Sequence, residues 1–137
     1  MGMPIQFTKV LVTPTGTSIA AVQAHAASGP LTLSASPIFA SQRRILITLT
    51  ASNSGGVIVA SGTNESGTPI VETINISSIG TSFTSAMDFK SVTSITATTL
   101  TGNISAGGNG TGSSPWQAAN PWNAPSNIMV SIGMTAS

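Results

Sequence analysis

Cysteine is absent from this chain. Thiol catalysis, zinc–thiolate sites and disulfide stapling are excluded together, while the redox compartment stays open. Charge is almost absent too. Charged residues make up 5% of the sequence, against about a quarter in an average protein. They are Lys9, Arg43, Arg44 and Lys90 against Glu65, Glu72 and Asp88. The resulting net charge of +1 gives no basic patch of the kind nucleic acid demands. Tyrosine is missing, and aromatics amount to 4%. No stretch approaches the ~18 uninterrupted apolar residues of a membrane span. Near the N-terminus, Lys9 is followed only by Val10-Leu-Val12 before Thr13-Pro14, which is too short for the apolar region of a signal peptide. We therefore expect no nucleic acid partner, no membrane and no export.

Serine and threonine supply the polarity, 40 residues in all. Hydroxyl side chains lose much less rotamer entropy in an interface than Lys or Glu. A weakly charged surface also gives little colloidal repulsion. Such a chain is prone to associate, so obligate assembly, including a homo-oligomer, is the expected state. Disorder fits poorly, because Ile, Val, Leu and Met recur in ordered patterns. A length of 137 residues suits one domain, able to bury about two-thirds of its unfolded surface.

Strand signals dominate. Arg44-Ile-Leu-Ile-Thr-Leu-Thr50 is a branched run closed by Ser54-Gly55-Gly56. Val57-Ile-Val-Ala-Ser61 follows, then a loop over 62–69. In Ile70-Val-Glu-Thr-Ile-Asn-Ile76 the alternation puts Ile70, Ile74 and Ile76 on a core face, together with Glu72. Glu72 is then expected near a sheet edge or beside an arginine. Ser91–Leu100 is a longer strand, Thr101-Gly-Asn103 a turn and Ile104–Ala106 a return. Short strands are expected at Val10–Val12, Leu31–Leu33 and Ile128–Ile132. Ser18–Ala26 is alanine-rich, but Gly16 and Gly29-Pro30 leave room for only about two helical turns, so we read a strand or extended arm. Gly and Pro punctuate the remainder at sandwich or barrel spacing. The reading is one all-β domain over 1–137, an antiparallel β-sandwich or jelly-roll-like fold. It has a possible N-terminal arm at 1–12 and a long Gly/Pro/Trp loop at 107–127.

Catalytic constellations are hard to assemble. His25 is the only histidine, and no Asp or Glu lies within 39 residues of it on either side. We read it as a packed or surface residue. One His and three scattered carboxylates make neither a metal site nor a glycosidase pair. The Gly-x-Gly spacings in Gly107–Gly112 lack the Gly-Lys-Ser/Thr and the following helix of a nucleotide loop. They read as a flexible connection. No enzymatic activity, metal or cofactor is expected. The four Asn-x-Ser/Thr matches at Asn64, Asn75, Asn103 and Asn109 are what this composition produces without selection. Pro115-Trp116 and Pro121-Trp122 hold both tryptophans. Proline lowers the entropy of ordering a loop, and Trp is enriched at binding hot spots. Either these tryptophans close the domain's own core or they anchor a partner. Stacking on sugar or single-stranded nucleic acid is a weaker option without a basic groove. Arg43-Arg44 is the one adjacent charge pair, with one member expected to answer Glu72 or Asp88 and the other to face a neighbour. The candidate partner interface is Pro115, Trp116, Pro121, Trp122 and Arg43.

Several stretches resemble small virion structural proteins of tailed bacteriophages. They are Arg43-Arg44-Ile-Leu-Ile-Thr48, Asn53-Ser-Gly55, Gly62-Thr-Asn-Glu-Ser-Gly-Thr-Pro-Ile-Val-Glu-Thr-Ile74, Asp88-Phe-Lys-Ser-Val-Thr-Ser-Ile95 and Gly110-Thr-Gly-Ser-Ser-Pro-Trp116. Their order and spacing carry the likeness across residues 43–116. Such proteins continue through further strands past the Trp-rich loop, which is a departure. The resemblance implies a non-enzymatic β-sandwich located in the virion and made in the host cytoplasm. Small size and scarce charge favour a capsid decoration or cement protein bridging the major capsid protein. A tail, neck or fibre component is the alternative, and a carbohydrate-binding module is the alternative of another class.

Overall fold

The computed structural model describes residues 15–25, 27–34, 37–76 and 79–109. The expected strands at 57–61, 70–76 and 91–100 are present as β5 (Val57–Thr63), β6 (Pro69–Asn75) and β8 (Phe89–Leu100). The run beginning at Arg44 is β4 (Ile45–Asn53), and the return at Ile104 is β9 (Asn103–Gly108). The alanine-rich segment is extended, as β1 (Ala20–Ala24). Three further strands complete the set: β2 (Ala27–Pro30), β3 (Ile38–Arg43) and β7 (Gly80–Thr84). Leu31–Leu33, expected as a strand, is an irregular connection instead. Leu31 is buried and its N–H donates to the Ile95 carbonyl, continuing the β2–β8 register by one bond, after which Thr32 turns to the Gln23 side chain and the ladder stops. Val10–Val12 and Ile128–Ile132 lie outside the described residues, as do Pro115, Trp116, Pro121 and Trp122.

The strands form two antiparallel sheets, and the described residues contain no helix. One sheet runs β1-β9-β4-β7. The other runs β2-β8-β5-β6, with β3 pairing the start of β8. The expected all-β sandwich is therefore the fold. Between the sheets lie Ile45, Ile47 and Leu49 of β4, Ile104 of β9, Ile58 of β5, Phe89, Ile95 and Leu100 of β8, and Ile74 and Ile76 at and beyond the end of β6. Burying a branched side chain of this size contributes about 1.5–3 kcal/mol.

Bulges decide which residues of β8 reach this core. Strict alternation would put Val92 on one face and Ile95 with Ala97 on the other. Against β5, the register steps from Ser61↔Ser94 to Gly62↔Val92, so Thr93 is an extra residue. Against β2 it steps from Ser28↔Thr98 to Ala27↔Leu100, so Thr99 is a second. Thr99 has φ 59, the left-handed region, where a β-branched residue is strained. Each extra residue reverses the facing of the strand beyond it. Val92, Ile95, Ala97 and Leu100 thereby all become buried.

Candidate interaction site

The described chain begins and ends at one pole of the sandwich. The backbone of Thr15 and Gly16 packs directly on Gly107, where an added Cβ would lie 1.9 Å from the Thr15 carbonyl oxygen. Next to it, the Gly108 N–H donates to Ser18 Oγ at 3.1 Å. The Asn109 N–H donates to the Arg44 carbonyl at 2.8 Å, and Asn109 Nδ2 donates to Thr84 Oγ1 at 3.3 Å. Residues 15 and 109 are thus fixed side by side, next to the start of β4 and the end of β7. Only glycine permits this at 107, because the neighbouring backbone occupies the Cβ position.

This corrects the reading of 107–112 as a flexible connection at its first two positions; 110–112 lie outside the described residues. Gly107 and Gly108 are buried members of β9, paired with Leu46 and Ile45. Gly108 faces the Phe39 ring and the Arg43 side chain. The glycines at 107 and 108 are there for close packing, which sequence alone does not separate from flexibility.

The arginine pair divides its work between interior and surface. Arg43, expected at the interface, is only 4% exposed and packs inside the domain beside Gly108. Arg44 is the member that reaches solvent, with a side chain 44% exposed and its Nε 3.7 Å from Asp88 Oδ1. The solvent-facing arginine at this pole is therefore Arg44. Its signal in sequence is its place directly before the inward Ile45, so that Arg43 and Ile45 share one facing and Arg44 the other.

The carboxylates are spent on the fold. Glu65 accepts from Lys90 Nζ at 2.9 Å and from the Gln42 N–H at 3.2 Å, while Gln42 Oε1 accepts the Glu65 N–H. These contacts tie the loop between β5 and β6 to β3 and β8. Glu72 lies on the last strand of its sheet, the edge position expected. Its partner is the β7–β8 loop instead of an arginine: Oε1 accepts from the Ala86 N–H at 2.6 Å and Oε2 from the Met87 N–H at 2.8 Å. Asn64 Oδ1 accepts the Ser66 and Thr68 N–H groups, closing its own loop. His25 Nε2 is enclosed without a hydrogen-bond partner among the described residues.

A shallow depression of about 290 Å³ lies between β1 and the 31–34 connection, lined by Ala21, Gln23, Thr32, Leu33 and Ser34. Its chief polar group, the Gln23 amide, is occupied by the Thr32 backbone at 2.9 and 2.8 Å. Among the described residues, no group of three or more His, Asp or Glu could hold a metal ion, and no helix is long and apolar enough to cross a membrane. Compared with known proteins, the chain matches no protein-family model, no curated protein and no solved structure.

Proposed function

We propose that this protein is a non-enzymatic structural subunit of a tailed-bacteriophage virion, a capsid decoration or cement protein that binds the major capsid protein. One observation carries the reading: every charged residue among the described ones is engaged or buried within the domain. Arg44 meets Asp88, Lys90 meets Glu65, Glu72 holds two backbone amides and Arg43 is buried. What remains outside among the described residues is largely hydroxyl and amide surface, together with the exposed apolar side chains of Val22, Ile38, Val71, Ile79 and Met87. Covering it requires little desolvation of charge and little loss of rotamer freedom. Copies packed closely in a shell would not repel one another. The resemblance across residues 43–116 supplies the virion context.

In this reading, the contact to the capsid is made at the pole holding residues 15, 44 and 109, with Pro115, Trp116, Pro121 and Trp122 as anchors. Two buried tryptophans could each contribute about 2 kcal/mol or more as hot spots, against about 1–2 kcal/mol for each loop residue ordered. The test has two parts. A mass-spectrometric copy count on purified particles should give the stoichiometry of the major capsid protein; a handful of copies would move the subunit to neck, tail or fibre. Trp122→Ala should leave the thermal midpoint of the isolated protein unchanged and sharply reduce its occupancy on particles. A midpoint that collapses would instead assign Trp122 to the domain's own core.

A further inference from the structure

A two-sheet sandwich has open edges, and natural β proteins block them with charge, proline, bulges or covering segments. Three edges here are blocked or short. β1 is closed by the 31–34 connection through the two Gln23–Thr32 bonds and the Ser34 N–H to Ile19 carbonyl bond. β2 and β3 are broken by register shifts where they meet β8. β7 spans Gly80–Thr84, and its pairing with β4 also shifts. The fourth edge, β6, is different. It pairs with β5 from Pro69 to Asn75 without a shift, and no described strand lies on its other side.

The hydrogen-bond phase of this edge is set by its two ends. The Asn64 N–H bonds to the Thr68 carbonyl and the Ile76 N–H to the Gly56 carbonyl. Alternation then directs the backbone groups of Ile70, Glu72 and Ile74 at β5. Those of Val71, Thr73 and Asn75 point outward, and all three residues are exposed. None carries charge. Glu72, the only charge on the strand, is turned to Ala86 and Met87.

We infer that the β6 edge is a homotypic interface, at which a second copy of this chain adds its own β6 antiparallel across a twofold axis at Thr73. This deepens the proposed role as an assembling subunit and rests on it. The choice of a second copy comes from the strand's self-compatibility. A twofold brings each outward residue opposite its own set, so an outward charge would meet itself; here it meets none. Centred on Thr73, Val71 pairs with Asn75 and Thr73 with Thr73, and each outward pair exchanges two main-chain bonds. Thr–Thr cross-strand pairs are favourable. The competing register, centred on Glu72, sets two glutamates directly opposite and pairs Pro69, which has no N–H, with Asn75. The twofold closes the assembly at a dimer.

The experiment is sedimentation equilibrium on the full-length protein, with amide exchange read at Val71, Thr73 and Asn75. Wild type should dimerise reversibly, with those amides protected only where dimer is populated. Thr73→Lys places like charges opposite each other, and Thr73→Pro removes a donor that β5 does not use. Each should raise the dissociation constant by about tenfold or more with an unchanged β-type circular dichroism spectrum. Thr98→Lys, exposed on the outer face of the central strand β8, should leave the dimer intact. Wild type that stays monomeric, Thr73→Lys protein that dimerises as wild type does, or amides protected equally in the monomer would each overturn the inference. The last result would mean that the chain covers the edge itself. Particle occupancy separates this from the proposed role. A lost dimer with normal occupancy sinks only the interface, and an intact dimer absent from particles sinks only the role.

Discussion

Replacing Gly107 with alanine adds one methyl group, and the surroundings of that methyl set the outcome. The new Cβ would lie 1.9 Å from the Thr15 carbonyl oxygen, 2.6 Å from the Gly16 carbonyl carbon and 2.7 Å from the Gly16 Cα. Ordinary contact begins near 3.4 Å, so the 15–16 backbone must retreat by about 1.5 Å. No side-chain rotation relieves the clash, because all three atoms are backbone. The retreat strains two hydrogen bonds, Gly108 N–H to Ser18 Oγ and Ile19 N–H to the Ala106 carbonyl at 2.9 Å. It also lifts Ile19, which is fully buried. Two bonds at about 0.5–1.5 kcal/mol each, with part of the ~1.5–3 kcal/mol of a buried Ile, give a loss of about 2–4 kcal/mol. A chain of 137 residues lies between the size classes that lose about 4–8 °C and about 2–4 °C per kcal/mol, and about 3–5 °C per kcal/mol puts the fall in thermal midpoint at about 6–20 °C. Differential scanning calorimetry reads it. Gly55→Ala is the control: an added Cβ there meets nothing within 4 Å, and the change should be neutral or stabilising by up to about 1 kcal/mol. A Gly107→Ala midpoint within about 2 °C of wild type would refute the placement of this glycine in a packed strand, since even 1 kcal/mol should move it further.

Other contacts carry expectations of their own. The buried Asn53 amide accepts from the Thr101 N–H and hydroxyl and donates to the Ala51 and Thr101 carbonyls. Asn53→Ala should therefore lose about 2–4 kcal/mol in urea unfolding, and a loss under about 0.5 kcal/mol would show that this clamp is not formed. Thr99 sits at φ 59, so Thr99→Asn should raise the thermal midpoint by several degrees by removing about 1 kcal/mol of left-handed strain; a lowered midpoint would argue against that bulge. Arg43→Ala should destabilise by about 1–3 kcal/mol because its buried stem is packed. Arg44→Ala should change stability by about 0–1 kcal/mol while weakening particle binding. Reversed stability effects would exchange the two roles.

Much of the sheet was legible because it rests on local alternation. The runs at 44–50, 57–61 and 70–76 carry branched side chains at period two, and that pattern suits a half-buried strand almost regardless of context. The placement of Glu72 at a sheet edge came from the same pattern, since a carboxylate on the core face is tolerable only near solvent or a partner. β2 and β7 were not legible. Ala-Ser-Gly-Pro has little intrinsic strand preference, and Gly-Thr-Ser-Phe-Thr, though it holds two Thr and a Phe, is short and has a single large apolar residue, so it shows no alternation; β8 and β4 alongside place them. In the candidate site, alternation from the inward Ile45 gives Arg43 the inward facing and Arg44 the outward one, but only the packing around Gly108 shows that the fold buries a charged side chain there.

Composition alone determined that this chain has no thiol chemistry, no dense charge field and a hydroxyl-rich exterior, because those properties are sums over residues. Three matters were decided only by tertiary structure. The first is the facing of β8, where Thr93 and Thr99 reverse the alternation because of how β5 and β2 register against it. The second is the meaning of Gly107 and Gly108, since a glycine that makes room for neighbouring backbone is spelled the same as one in a flexible loop. The third is which strand lies at an open edge. A strand's sequence encodes its two faces, but whether its outer backbone groups find a partner depends on where the chain places every other strand.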